Sequence, residues 1–275
     1  MSDRSYLEYS RRRMRAYSRF GAAALLLIVL TMFVAQRMGF TVTVLREAGG
    51  RLMNLLPAMV PPIIESPPDV FGAALESIQV AVLGTLIGIV MAIGLGILAA
   101  ENIAPHLLVS RAIKLFAAFV RSVPALIWAL VFVTAVGLGP TPGILALAIN
   151  SLGMLVKAFS ESIEEIDMGP IEALRSTGAR RSAVFTQAVL PAVSGALIAW
   201  SVFRFDIHVR YASVLGIVGA GGIGWELMRA MHMSRYDMAI GITLVIFGLV
   251  SMTEFLSSSL KRYSLGRTRK GGVTA

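Results

Sequence analysis

Residues 122–156 carry no charged side chain at all. At about 1.5 Å of rise per helical residue the stretch is too long for one bilayer crossing and ample for two. Proline and glycine in GLGPTPG, residues 137–143, divide it. Four more charge-free apolar runs recur at 20–36, 77–100, 182–203 and 238–253. A chain with this pattern has to bury its backbone polar groups in helices that cross a membrane. The expected fold class is therefore an all-α polytopic membrane protein with six transmembrane helices, near 20–36, 77–100, 112–136, 143–160, 182–203 and 238–253.

Composition agrees. The chain is 56% hydrophobic and 15% charged, against about a quarter charged for a soluble domain. The net charge of +9 is gathered at the two ends and between the apolar runs. That placement marks cytoplasmic loops and anionic lipid headgroups rather than a nucleic-acid-binding face, so no nucleic-acid partner is expected. Six arginines lie in the first nineteen residues, and five of the last fifteen are Lys or Arg. An even number of spans places both basic ends in the cytoplasm. The first apolar run has no evident cleavage site after it and is expected to be an anchor. The chain has no cysteine, which excludes disulfides and thiolate metal sites. Residues 1–19 form a basic cytoplasmic N-terminal segment. Residues 20–70 hold the first helix and an external proline-rich stretch, 71–260 the main transmembrane domain, and 261–275 a basic cytoplasmic tail. A short interfacial helix is expected over 46–59, and PPIIESPP is expected to be extended.

A polar interruption between apolar runs leads into residues 169–191, GPIEALRSTGARRSAVFTQAVLP. Pro170 suits a first helical turn and Gly178 a helix stop, which leaves about two turns, too few to span a bilayer. A short mixed-charge helix of this kind fits a docking element for a soluble partner, or an ordinary solvated loop. In the span at 77–100, Gly84 and Gly88 form a GxxxG pair that permits close helix approach, although glycine is common in membrane helices in any case.

Arg121, Arg204, Asp206 and Arg210 fall within or at the ends of spans. Intramembrane charge is expensive and points to function; arginine forks hold oxyanions bidentately. The structural alternative pairs Arg204 with Asp206 and lets Arg210 reach the interface. GAGGIG, residues 219–224, matches GxGxxG by letter, but it sits between two spans and not in a βαβ unit. Gly219, Gly221 and Gly222 fit a chain reversal or a pair of half-helices lining a path or gate. His106, His208 and His232 lack ligand spacing, so no metal is expected. No GxxxxGK[ST] occurs, so the chain binds no ATP through a P-loop and ATP-driven work would fall to a partner.

Glu172, Ala173, Gly178, Leu190 and Pro191 stand at the spacing of the EAA loop, and the chain resembles the permeases of binding-protein-dependent ABC importers. Leu174 replaces the usual third alanine and Ala188 the usual isoleucine. Residues 121–133, 136–140, 166–179 and 203–224 are similar to the phosphonate branch of that family, with Asp206 where glutamate is expected. The resemblance implies a methionine-importer-like permease fold and a homodimer. It also implies an ATPase dimer docked on a coupling helix at about 170–180, through Glu172, Ala173, Leu174, Arg175, Gly178, Arg180, Leu190 and Pro191. Arg181 would meet ATPase acids or lipid. An external solute-binding protein would deliver phosphonate or a related phosphorus oxyanion past Arg121, Arg204, Asp206, Arg210, Gly219, Gly221 and Gly222. ATP and Mg would be used by the partner ATPase, with no cofactor in this chain and no enzymatic activity of its own. The setting would be a prokaryotic plasma membrane. The alternatives are a methionine-type or other small-solute importer, an ion-coupled secondary transporter, and a membrane enzyme.

Overall fold

Proline and glycine set most helix boundaries in the computed structural model. It describes residues 3–270, with side chains from 20 to 259 except that of Arg181. The side chains of the basic ends and of Arg181, and their expected contacts with lipid or acids, lie outside the described residues. Among the described residues there is no strand.

The chain divides into two compact units between Val60 and Pro61. In the first, α1 runs from Asp3 to Arg37 and contains a candidate membrane span, Phe20–Arg37. Helix α2, Val42–Leu55, starts four residues before the expected interfacial helix. Its start is set by Thr41, whose side-chain oxygen accepts from the Val44 N–H at 3.4 Å. A 3-10 turn, Leu56–Met59, follows.

In the second unit, α3 covers Pro67–Ala99, ten residues more at its start than the charge-free run. Pro67 and Pro68 open the helix instead of ending an extended stretch, because the first helical turn needs no N–H donors. The non-helical residues before it are tied to residues 235–237, with Ile63 N–H donating to Asp237 O at 3.2 Å and Arg235 bridging Glu65 at 2.7 Å and Asp237 at 3.3 Å. The expected single span at 112–136 is two helices, α4 (Leu107–Ser122) and α5 (Ala125–Val136), bent by 87°. Pro124 causes the bend: it supplies no N–H, and it forces Val123 to an extended φ of −91° and ψ of 120°. Helix α6 is Pro140–Glu164 and α7 is Gly169–Ser176. A short α8, Arg181–Val184, passes through a π-helical turn, Phe185–Val189, into α9, Leu190–Leu215. Helix α9 does not stop at Arg204, as the charge pattern suggested; it continues for three further turns. Helix α10 is Ile223–His232 and α11 is Tyr236–Lys270. Among the described residues five helical segments are long and apolar enough to cross a membrane, and six if the bent pair counts as one.

The centre of the second unit is the contact of α3 with α6. Gly84, Gly88, Ala92 and Gly96 are buried at four-residue intervals on α3. A Cβ on Gly84 would come 2.6 Å from the Leu147 Cβ, one on Gly88 would collide with Ser151, and one on Gly96 would come 3.0 Å from the Phe159 Cβ. The matching order, 84 with 147, 88 with 151 and 96 with 159, makes the two helices parallel. Small residues thus let two backbones approach where lipid offers no hydrophobic drive. Helix α9 runs antiparallel to both. Its start packs with Ala100 and Ile163 near α7, and its end with Val80 and Leu147 near the glycine turn.

Gly88→Val should destabilise the protein by about 1–3 kcal/mol through overpacking, read as a lower melting temperature in detergent. Gly94→Ala, where nothing lies within 4 Å of the new methyl, should melt like the parent. Equal melting of both variants would contradict the close α3–α6 contact.

Candidate functional site

The bend between α4 and α5 opens a cleft of about 460 Å³ against the middle of α6 and α9. Arg121 and Ser122 reach it from α4, Asn150 and Met154 from α6, and Arg204 and Tyr211 from α9. Two of the arginines singled out by sequence therefore face one cavity.

Arg204 is 5% exposed. Its Nη2 donates to Asn150 Oδ1, its Nε to Ser151 Oγ at 3.4 Å, and its Nη1 lies 3.3 Å from the Met154 sulfur. All three partners are neutral. Among the described residues no carboxylate oxygen lies within 4 Å of either Arg204 or Arg121. The Arg204–Asp206 pair offered by sequence is absent, because residues two apart on a helix point to different sides. Asp206 instead pairs with Arg210 at 2.8 Å, one turn on, and Arg210 also reaches Glu254 at 3.7 Å. Arg210 is thus charge-balanced while the cleft arginines are not. The lining of this cleft holds two guanidinium groups and no carboxylate; a guanidinium fork matches oxyanion oxygens, and an anion there would offset the electrostatic penalty of the buried Arg204 charge.

The glycine turn forms a second, separate cleft of about 280 Å³, lined by Gly219, Gly221 and Gly222 with Glu76 and Glu226. Its irregular backbone is satisfied by protein: Gly139 N–H donates to Gly219 O at 2.9 Å and Ile223 N–H to Ser77 Oγ at 2.9 Å. Gly222, with φ 70° and ψ −167°, caps the short helix α10; the chain before it is a 3-10 turn, Gly216–Val218, in place of a second half-helix. The glycines and the cleft arginines, nominated together, belong to different cavities.

At the opposite end of the bundle, α7 has the two turns expected from Pro170 and Gly178. Ile171 is 1% exposed and packs with Ile163, Val184 and Val189, while Leu174 and Ala179 are half-buried against the same cluster. Glu172, Ala173, Arg175, Gly178 and Arg180 remain exposed. The helix is thus anchored on one side and presents a mixed-charge face on the other. Gly178 ends it at φ +78°. Leu190 and Pro191 are exposed at the start of α9.

Sequence reasoning missed Asn150, Ser151, Met154 and Thr85. The one available signal was adjacent Asn150 and Ser151 inside a charge-free run.

Comparison with known proteins adds three findings. A family model described as the binding-protein-dependent transport system inner membrane component matches residues 92–270. The chain is 39% identical over 239 residues to the phosphate-import permease protein PhnE of Mycolicibacterium smegmatis, covering 87% of this chain and 45% of that protein. It is 37% identical over 219 residues to the phosphite transport system permease protein PtxC of Stutzerimonas stutzeri, covering 77% and 80%. The chain thus spans less than half the length of the first relative and about four-fifths of the second. Among solved structures, an inward-facing form of the MetNI methionine ABC transporter superposes with a TM-score of 0.63 at 20% identity, over 72% of this chain and 99% of that one. This likeness establishes the methionine-importer-like fold.

Two glycines separate backbone strain from crowding. Gly178 has a left-handed φ and open space around it, whereas a Cβ on Gly222 would also collide with Ser77 Oγ. Gly178→Ala should cost about 1 kcal/mol, and Gly222→Ala about 1–3 kcal/mol more, read as a larger fall in melting temperature. The reverse order would contradict the packing of the glycine turn on α3.

Proposed function

We propose, for a chain that belongs to the family of binding-protein-dependent transport system inner membrane components, that it is the permease subunit of an ATP-driven importer of phosphorus oxyanions. The observation that carries the substrate class is the pair Arg121 and Arg204, which face one cleft among membrane helices whose lining holds no carboxylate. Phosphonate, phosphite and phosphate all present oxygens that a guanidinium fork binds bidentately. The printed names of the relatives, phosphate import and phosphite transport, support the same class. A methionine zwitterion has no need of two uncompensated arginines.

Two copies of the chain form the pathway in a prokaryotic plasma membrane, with both termini in the cytoplasm. An external binding protein selects the oxyanion and releases it into the outward-open state. Two copies of a cytoplasmic ATPase, which hold ATP and Mg, dock on the exposed face of α7. Because Ile171 is buried in the same cluster as Ile163, Val184 and Val193, a push on α7 moves the start of α9 and the end of α6 with it. Arg204 and Asn150 lie on those two helices, so ATPase closure reshapes the arginine cleft. Binding there must be firm enough for entry and weak enough for exit. Arg204's neutral partners hold the side chain in place without neutralising it.

The test is uptake of radiolabelled inorganic phosphate, phosphite and methylphosphonate into proteoliposomes containing the chain with its ATPase and binding protein. Arg204→Gln and Arg121→Gln should each lower ATP-dependent uptake about tenfold or more, the scale of a lost hydrogen bond to a charged group, at unchanged membrane abundance. Arg210→Gln, already paired with Asp206, should lower it less. Glu172→Lys combined with Arg175→Glu should reduce co-purification of the ATPase. Parental uptake in both cleft variants would overturn the substrate path, and undiminished ATPase capture would overturn the docking role of α7.

A further inference from the structure

Behind Arg204 lies a polar chain that does not reach the cleft. His208, one turn along α9, is completely buried, as is Ser151 on α6, and Thr85 on α3 is 3% exposed. His208 Nδ1 is 2.8 Å from Thr85 Oγ1, His208 Nε2 is 3.3 Å from Ser151 Oγ, and Ser151 Oγ is 3.4 Å from Arg204 Nε. Three helices thus contribute four side chains to one line, in a region where an unsatisfied polar group is costly.

The donor directions follow from the distances. Thr85 Oγ1 stands 2.6 Å from Ala81 O. Two oxygens that close need a hydrogen between them, and only the hydroxyl has one. Thr85 therefore donates to Ala81 O and accepts from His208, which fixes the imidazole proton on Nδ1. Nε2 is left as an acceptor, filled by the Ser151 hydroxyl, and the Ser151 oxygen then presents its lone pair to Arg204 Nε–H. Every hydroxyl in the line donates once and accepts once.

We infer that His208 is a positioning residue for oxyanion passage: through Ser151 it sets the orientation of the Arg204 guanidinium in the cleft. The inference rests on the proposed oxyanion path. Without His208 the Ser151 hydroxyl has no fixed direction and Arg204 Nε loses an oriented acceptor. Asn150 at Nη2 and the Met154 sulfur at Nη1 then hold the guanidinium with no oriented acceptor at Nε, and the fork swings more freely. Gly88 belongs to the same device, because any side chain there would displace Ser151.

Glutamine and asparagine separate orientation from mere core filling. His208→Gln carries an amide oxygen toward the Nε2 position, where it accepts from Ser151. His208→Asn reaches only the Nδ1 side, toward Thr85. In the reconstituted importer with inorganic phosphate, phosphite and methylphosphonate as probes, His208→Asn and His208→Leu should lower uptake about tenfold. His208→Gln should retain most of it, although Asn and Gln variants melt alike. Ser151→Ala should lower uptake as His208→Leu does, and the double variant should fall no further, because both act on one interaction. If Asn and Gln variants transport equally, or uptake simply follows melting temperature across the set, His208 is a core staple only and the inference is overturned. If His208→Leu does not reach the membrane, Ser151→Ala decides, and parental uptake in that variant overturns the inference. Loss of uptake in Arg204→Gln beside parental uptake in Ser151→Ala and His208→Asn removes the positioning role and leaves the path intact. Parental uptake in Arg204→Gln removes the positioning role, and parental uptake in Arg121→Gln as well removes the path.

Discussion

The Arg204 guanidinium, 5% exposed between membrane helices and bonded only to neutral groups, is the constraint on which the rest of the molecule turns. Insertion scales put an arginine at the centre of a membrane helix at about 3 kcal/mol unfavourable. A carboxylate at hydrogen-bonding distance would remove most of that penalty, and Asp206 is only two residues away. It faces Arg210 instead. Arg210 is thus balanced by a carboxylate, while Arg204 keeps its charge toward a cavity.

Holding that charge in place requires close backbone packing. Asn150 and Ser151 reach Arg204 from α6, and α6 sits where it does because Gly84, Gly88 and Gly96 leave room on α3. The 87° break at Pro124 then provides the opening of the cleft that Arg121 and Arg204 share. Small residues, a proline bend and two arginines are separate sequence features that meet at one point in space. At the far end, α7 is fixed by Ile171 to the helices that carry the cleft, so a partner acting on α7 acts on the site as well.

Much of this was legible beforehand. The apolar runs located the helices, because a membrane-spanning chain has few other ways to satisfy its backbone. Helix α7 was readable to within about a turn, because Pro170 and Gly178 mark its ends. Two details lay beyond the charge pattern. The charge-free run stops before Arg204, whereas the helix runs on to Leu215 with Arg204 bonded to Asn150 and Ser151 of α6. The span at 112–136 is broken at Pro124, and the bend forms the cleft. The grouping of Arg121 and Arg204 apart from Gly219, Gly221 and Gly222 was not readable, since linear order says nothing about which residues share a cavity.

The proposed step is the neutralisation of Arg204 by a phosphorus oxyanion on its way through the membrane. Its most direct test is a cryo-electron microscopy map of the complete importer trapped with methylphosphonate in transit. The account predicts density in the α4–α5 cleft within hydrogen-bonding distance of the Arg204 and Arg121 guanidinium groups. Substrate density in the membrane region that bypasses the cleft and touches neither arginine would contradict it.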